Sequence, residues 1–187
     1  MRNYCLIKGD GREVDIKRFP IGQFELITNI SFEDRVNYIN QIPEIIETLR
    51  NIVKNLKPDQ LDIPYCQDGW TIKQIVHHLA DNDMNAYLRF KRALTEDKPM
   101  SSSYREDLWA ELSDYRDVPF ETSLLLIEAL HSRFLILLNS LKPDDFRREL
   151  RTQVLGSITL DTALQRFIWH NRHHISQIES SINTKGW

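Results

Sequence analysis

Apolar residues recur at alternating steps of three and four along four long stretches of this chain, and no other feature limits its possible folds so strongly. The first stripe is Ile39, Ile42, Ile46, Leu49, Val53 and Leu56, and the second includes Ile72, Ile75, Leu79, Ala86, Phe90 and Ala93. The third is Leu124, Ile127, His131, Phe134, Leu138 and Leu141, and the fourth Ala163, Phe167, His170, His174 and Gln177. A helix with one apolar stripe must bury it against another element, and four such helices bury theirs against one another. The predicted fold class is therefore all-α, a four-helix bundle with a long crossing loop, a small β-hairpin and an extended N-terminal arm.

The boundaries of the stretches carry local signals. Ser31 with Asp34, and Thr71 with Gln74, have the spacing of a capping box, and Thr159 can cap the last helix. Pro43 lies inside the first helix and is expected to kink or restart it, and Pro58 marks where it has ended. Residues 96–119 are rich in Ser, Asp, Glu and Arg and read as the long crossing loop, with one short helix around residues 105–112. Residues 143–146 read as a single helical turn, and residues 149–159, around Gly156, as a short hairpin. A second small hairpin is expected over residues 4–16, with its turn at Gly9-Asp10-Gly11. Residues 18–24 read as an extended arm, because Pro20 and Gly22 oppose a helix and Phe19 and Phe24 need burial against something else. The expected organisation is an arm over residues 1–30 packed on a single bundle domain over residues 31–187.

Composition excludes several classes of function. At 187 residues the chain can bury one sizeable core, and a net charge of −3 without a basic run does not suggest a nucleic-acid partner or a membrane-binding patch. No apolar run approaches the roughly 18–20 residues that span a bilayer, and the N-terminus lacks the apolar region of a secretory signal. A cytoplasmic protein is expected, with Cys5 and Cys66 as reduced thiols rather than metal ligands. No internal repeat is present, and no glycine-rich nucleotide-binding or Gly-x-Ser-x-Gly motif.

The chemistry-bearing residues are histidines. His170 and His174 are four apart in Trp169-His170-Asn171-Arg172-His173-His174, so on a helix both imidazoles can aim at one point. Two histidines do not close a metal site. The best third donor is His78, three residues after Ile75 and nearer the inward face than His77. Three neutral imidazoles leave a fourth tetrahedral position open to water or substrate, the arrangement of catalytic rather than structural zinc. His77 and His173 are each rotated by about 100° from a ligand neighbour and are expected on the outer face or behind the ligands. His131, in an otherwise apolar stripe, is expected to be buried and hydrogen-bonded, with a fourth-ligand or substrate-contact role as the alternative. Asp81 reads equally as a hydrogen-bond acceptor for an imidazole, a base, or a solvated surface group.

Taken with Asp68-Gly69-Trp70-Thr71, Gln74-Ile75-Val76-His77-His78-Leu79-Ala80-Asp81, Trp109-Ala110-Glu111-Leu112 and the terminal Gly186-Trp187, the chain resembles the DinB/YfiT-like metal-dependent hydrolases, in the YfiT branch. The resemblance implies a four-helix bundle holding one divalent metal ion per chain, zinc or nickel. By motif, the histidine before Leu79-Ala80 gives His78 and the last-helix pair gives His170 and His174. It implies a hydrolase acting on a small-molecule substrate, and a homodimer. The family is also similar to enzymes that transfer low-molecular-weight thiols such as bacillithiol onto electrophiles, so a thiol S-transferase is the alternative activity. A non-catalytic bundle that binds metal or a small ligand, and a metal-free stress-response bundle, are the remaining alternatives. The chain departs from the family pattern at residues 1–15, which look like an extra piece, in a shorter hairpin around Gly156, and at Gln177, where relatives often show a further histidine.

Overall fold

A computed structural model describes residues 18–101 and 103–187, and the hairpin expected over residues 4–16 lies outside them, as does Cys5. Helix α1 (Phe32–Val53) begins where the Ser31 hydroxyl accepts from the Asp34 backbone N–H at 3.1 Å and the Asp34 carboxylate accepts from the Ser31 N–H at 2.8 Å. Two otherwise unpaired donors of the first turn are satisfied reciprocally. A single helical turn, α2 (Pro58–Leu61), follows, and then α3 (Ile72–Thr95), which Thr71 and Gln74 open with the same reciprocal pair at 3.1 and 2.9 Å. The connection over residues 96–119 carries two short helices, α4 (Glu106–Trp109) and α5 (Ser113–Asp117), where one was expected. Helix α6 (Phe120–Asn139) leads through a 3₁₀ turn (Asp145–Arg147) to β1 (Glu149–Thr152) and β2 (Gly156–Thr159), an antiparallel hairpin pairing Glu149 with Thr159 and Thr152 with Gly156. Thr159 caps α7 (Leu160–Lys185), accepting from the Thr162 N–H at 3.2 Å, and Gly186, at φ 71°, ends it in the left-handed conformation that glycine adopts without penalty.

Two expectations for α1 change. The helix runs unbroken through Pro43 rather than restarting there, and Ile45 is buried where Ile46 is only half-buried. Its stripe also ends at Val53, with Leu56 packing from beyond the helix.

The four long helices pack in a ring in which α1 touches α6 and α7, and α3 touches the same two. Two of the three successive pairs of long helices, α1 with α3 and α6 with α7, are therefore diagonal, so the segments holding α2 and the hairpin cross the ring, whereas α3 and α6 are neighbours. Inside, Phe90, Phe134 and Phe167 form an edge-to-face cluster with centroids 4.8 and 5.2 Å apart. Such pairs contribute about 0.5–1.5 kcal/mol each beyond their burial. Arg35 of α1 makes a two-pronged, mostly buried ion pair with Asp161 in the first turn of α7, at 2.6 and 2.9 Å. This geometry is stronger than a surface pair and sets the register of the two helices.

The arm lies antiparallel along α7. Gln165 holds Ile27 through both its backbone groups at 3.0 Å, Phe24 meets Trp169 edge-on, Phe19 meets His173, and Gln177 donates to the Arg18 carbonyl at 2.8 Å. The aromatics that could not be left in water thus cover the outer side of the histidine-bearing helix.

Candidate metal centre

Helices α3 and α7 are neighbours in the ring, and this places His78 opposite His170 and His174. One ring nitrogen from each of the three lies within 4.8 Å of the others. The Nε2 atoms of His78 and His170 are 3.2 Å apart. Two nitrogens bound tetrahedrally to one ion at roughly 2.0–2.1 Å would be about 3.3 Å apart, so this pair already has the spacing of two ligands. His78 and His174 are buried, whereas His170 is half-buried.

Burial sets the protonation state. It pushes the His78 imidazole down to about 3, with the neighbouring His173 adding to the effect. His170 and His174 are held well below the ordinary histidine value, first by burial and then by the other imidazoles. All three are therefore neutral at pH 7, the form that ligates a metal.

Gln177 accepts a hydrogen bond from His174 Nδ1 at 2.8 Å, which fixes the tautomer and leaves Nε2 as the lone-pair nitrogen. His174 Nε2 is buried without a hydrogen-bond partner among the described residues, the condition of an atom awaiting a ligand. The three histidines thus fit a divalent cation. Gln177 also donates to His173 Nε2 at 3.0 Å, and through Arg18 it ties this network to the arm. Replacing Gln177 by Leu removes the orienting acceptor, and a 10–100-fold loss of metal affinity is expected, with the fold retained. A chelator-competition titration measures it.

His77 and His173 do not lie on an outer face. His77 is buried against Tyr115 and shares a 2.7 Å hydrogen bond with Ser123, away from the cluster, and its pKa is lowered chiefly by burial. His173 is buried between the Trp169 ring, stacked at 4.8 Å, and Phe19, with its pKa pushed down to about 4 by burial. It touches the His174 ring and so stands directly behind the centre. His131 is buried and bonds Asp83 at 2.7 Å, and Asp83 also accepts from Asn171 at 2.9 Å. This buried bridge joins α3, α6 and α7. Asp81 accepts from the Tyr115 hydroxyl at 2.7 Å, and burial raises its pKa.

Trp70, which the periodicity does not mark, forms a wall of the site. Its ring is 4.4 Å from that of His78 and 6.0 Å from that of His174. The tight turn before α3 aims it there, with the Tyr65 N–H donating to the Trp70 carbonyl at 3.0 Å and the Gly69 N–H to the Cys66 carbonyl at 3.0 Å. A Cβ on Gly69 would lie 2.7 Å from a ring carbon of Tyr65. Gly69→Ala therefore forces the turn apart and is expected to cost about 1–3 kcal/mol, read as a lowered Tm together with a changed Trp70 fluorescence. An unchanged melt would show that Tyr65 yields freely.

Beside the cluster, a cavity of about 540 Å³ opens between α3, α7, the hairpin and the long connection. Phe90, Leu150, Ile158 and Phe167 supply apolar wall, and of the three histidines only the half-buried His170 borders it. The open side of the cluster thus faces a space of small-molecule size. No described helix is long and apolar enough to cross a membrane.

Comparison with known proteins identifies the family. The sequence profile of the DinB superfamily matches residues 41–178. The chain is 42% identical over 174 residues to a protein of Oceanobacillus iheyensis named "Putative metal-dependent hydrolase", covering 91% of this chain and 99% of that one. It is 43% identical over 178 residues to a Geobacillus thermodenitrificans protein of the same name, covering 93% and 98%. Among solved structures it is similar to YfiT from Bacillus subtilis, described as "a probable metal-dependent hydrolase with an unusual four-helix bundle topology", with a TM-score of 0.90, 38% identity, and coverage of 92% and 99%. By sequence and by fold, this chain belongs to the DinB superfamily.

Proposed function

We propose that this protein is a metal-dependent hydrolase of a small molecule, with one divalent ion, zinc or nickel, held by His78, His170 and His174. The observation that carries the proposal is the convergence of three neutral imidazole nitrogens within 4.8 Å, beside a cavity that reaches only His170. A bound ion would supply Lewis acidity and a water of pKa about 7 at its open position. The chain's own part is to keep the three rings unprotonated by burial, to orient His174 through Gln177, and to admit substrate past His170. Trp70 and Phe19, packed on the cluster and on His173, keep bulk water from the other sides.

A second reading, transfer of a low-molecular-weight thiol to an electrophile, is supported by the disposition of the acids on α3. Asp81 is engaged by Tyr115, and Asp83 by His131 and Asn171. A metal-held thiolate needs no general base, whereas hydrolysis is helped by one. Metal-loaded protein assayed with an ester and with an electrophile, each with and without cysteine, separates the readings. Ester turnover without thiol supports hydrolysis, and strictly thiol-dependent loss of the electrophile supports transfer. Stoichiometric metal with no turnover in any arm would overturn both and leave a binding bundle.

A further inference from the structure

Two acids of α4, Glu106 and Asp107, border the cavity beside His170. Asp107 bonds Arg105 at 2.8 Å, and the acids of α3 are held by Tyr115, by His131 and by Asn171. Glu106 differs from all of these. It is half-buried, and among the described residues no donor or cation pairs with its carboxyl group. Burial raises its pKa, and the charge of Asp107 adds to the effect. A carboxyl kept partly from water without a donor is costly, and a ligand that brings a donor removes part of that cost.

Much of the remaining wall is apolar. Phe90 of α3, Leu150 and Ile158 of the hairpin, and Phe167 of α7 line it. Val154 and Leu155, at the hairpin turn, also border the cavity, although they are 55% and 40% exposed. Apolar side chains left open at the rim of such a space are covered when a molecule enters it.

We propose that this cavity takes a neutral molecule with an apolar body against Phe90, Leu150, Ile158 and Phe167 and a hydroxyl or N–H group that donates to Glu106. A neutral donor bonds the carboxyl in either protonation state, whereas an ammonium in an apolar space needs the ionised one. That a scissile bond then lies at His170 rests on the metal-dependent reading above, whereas the donor-binding site itself does not. A cavity of about 540 Å³ suits a molecule of roughly the size of a phenyl-substituted short-chain alcohol or larger.

The test uses metal-free protein, so that a hydroxyl cannot bind through the ion. The probes are 3-phenylpropan-1-ol and its methyl ether, which share the apolar body and differ in the donor. Chemical-shift titration is expected to show the alcohol bound about tenfold tighter or more. In Glu106→Leu, and in the smaller Glu106→Ala, the preference should fall to about twofold or less, and Glu106→Gln, which keeps an acceptor oxygen, should restore part of it. Asp107→Asn should leave it in place. Ala163→Trp, filling the apolar side, should weaken both probes. Thermal melts of each variant establish that it is folded. Alcohol binding undetectable at about 10 mM, no preference in the unaltered protein, or a preference that survives in Glu106→Leu and Glu106→Ala overturns the proposal. Metal content is measured separately on the same proteins. Donor selection without metal uptake would sink the metal-dependent reading alone, and metal uptake without donor selection would sink this one alone.

Discussion

The double variant His170→Ala/His174→Ala is expected to hold no metal under conditions where the unaltered protein holds one ion per chain. Both side chains come from one face of α7, and their removal leaves His78 alone, with no second donor in the cluster. Losing a single supporting group behind a metal ligand typically costs 10–100-fold, so losing two of three ligands should exceed that by orders of magnitude. Elemental analysis after dialysis against a weak chelator gives the answer, and equal metal in the two proteins would end the assignment. Stability supplies an independent readout. An ion that binds only the fold stabilises it by about 4 kcal/mol at a concentration 1,000-fold above its Kd, so metal should raise the Tm of the unaltered protein and leave that of the variant unmoved. Without metal the variant should remain folded, because it loses the buried imidazole of His174 and the half-buried one of His170, whose buried polar atoms are costly to keep from water.

Acid should unfold the metal-free protein through the same residues. The His78 imidazole is pushed down to about 3 and that of His173 to about 4, against 6.5 for an ordinary histidine. Between those values and 6.5 the unfolded chain carries protons that the fold refuses. The stability is therefore fully present above pH 6.5, and it is lost as pH falls toward the folded values. Each such group loses about 1.4 kcal/mol per pH unit, so these two alone remove on the order of 4 kcal/mol between pH 6.5 and 5. That is a large part of a typical total of about 5–15 kcal/mol. His170 and His174 are shifted the same way and add to it. Asp81 and Glu106, raised by burial, work in the opposite sense, so the measured fall is the histidines' share less theirs. Urea unfolding at pH 7.5, 6.5 and 5 should show a steep decline that flattens in His170→Ala/His174→Ala. A stability that stays level from pH 7 to 5 would contradict the burial of these rings. With metal bound the loss should begin at lower pH, since the ion competes with the protons.

The caps and stripes were readable in the sequence because they depend on residues three or four apart. Ser31 with Asp34, Thr71 with Gln74, and Thr159 all cap the helices they were expected to open. The choice of His78 over His77 as the residue facing the α7 pair came from the same spacing, and the fold brings His78 to within reach of His170 and His174. The family resemblance led to the same three positions by motif. Periodicity failed where a helix has more than one buried side. Helix α3 packs on both α6 and α7, so turning 100° from His78 leads to Ser123 and Tyr115 rather than to solvent. On α7 the arm covers what would have been the outer side, and His173 is buried there between Trp169 and Phe19.

What the sequence determined by itself was therefore local: where each long helix starts, which stripe it buries, and that His170 and His174 share a face. The ring order of the helices, the bridge from Asp83 to His131 and Asn171, the tie from Gln177 to the Arg18 carbonyl, and the placing of Trp70 beside His174 were decided only in the tertiary structure. Each joins residues on elements distant in the chain, or two faces of one helix that a single stripe cannot separate. Their contacts depend on which helices become neighbours, and that choice is made by the packing of the whole core rather than by any spacing within one segment.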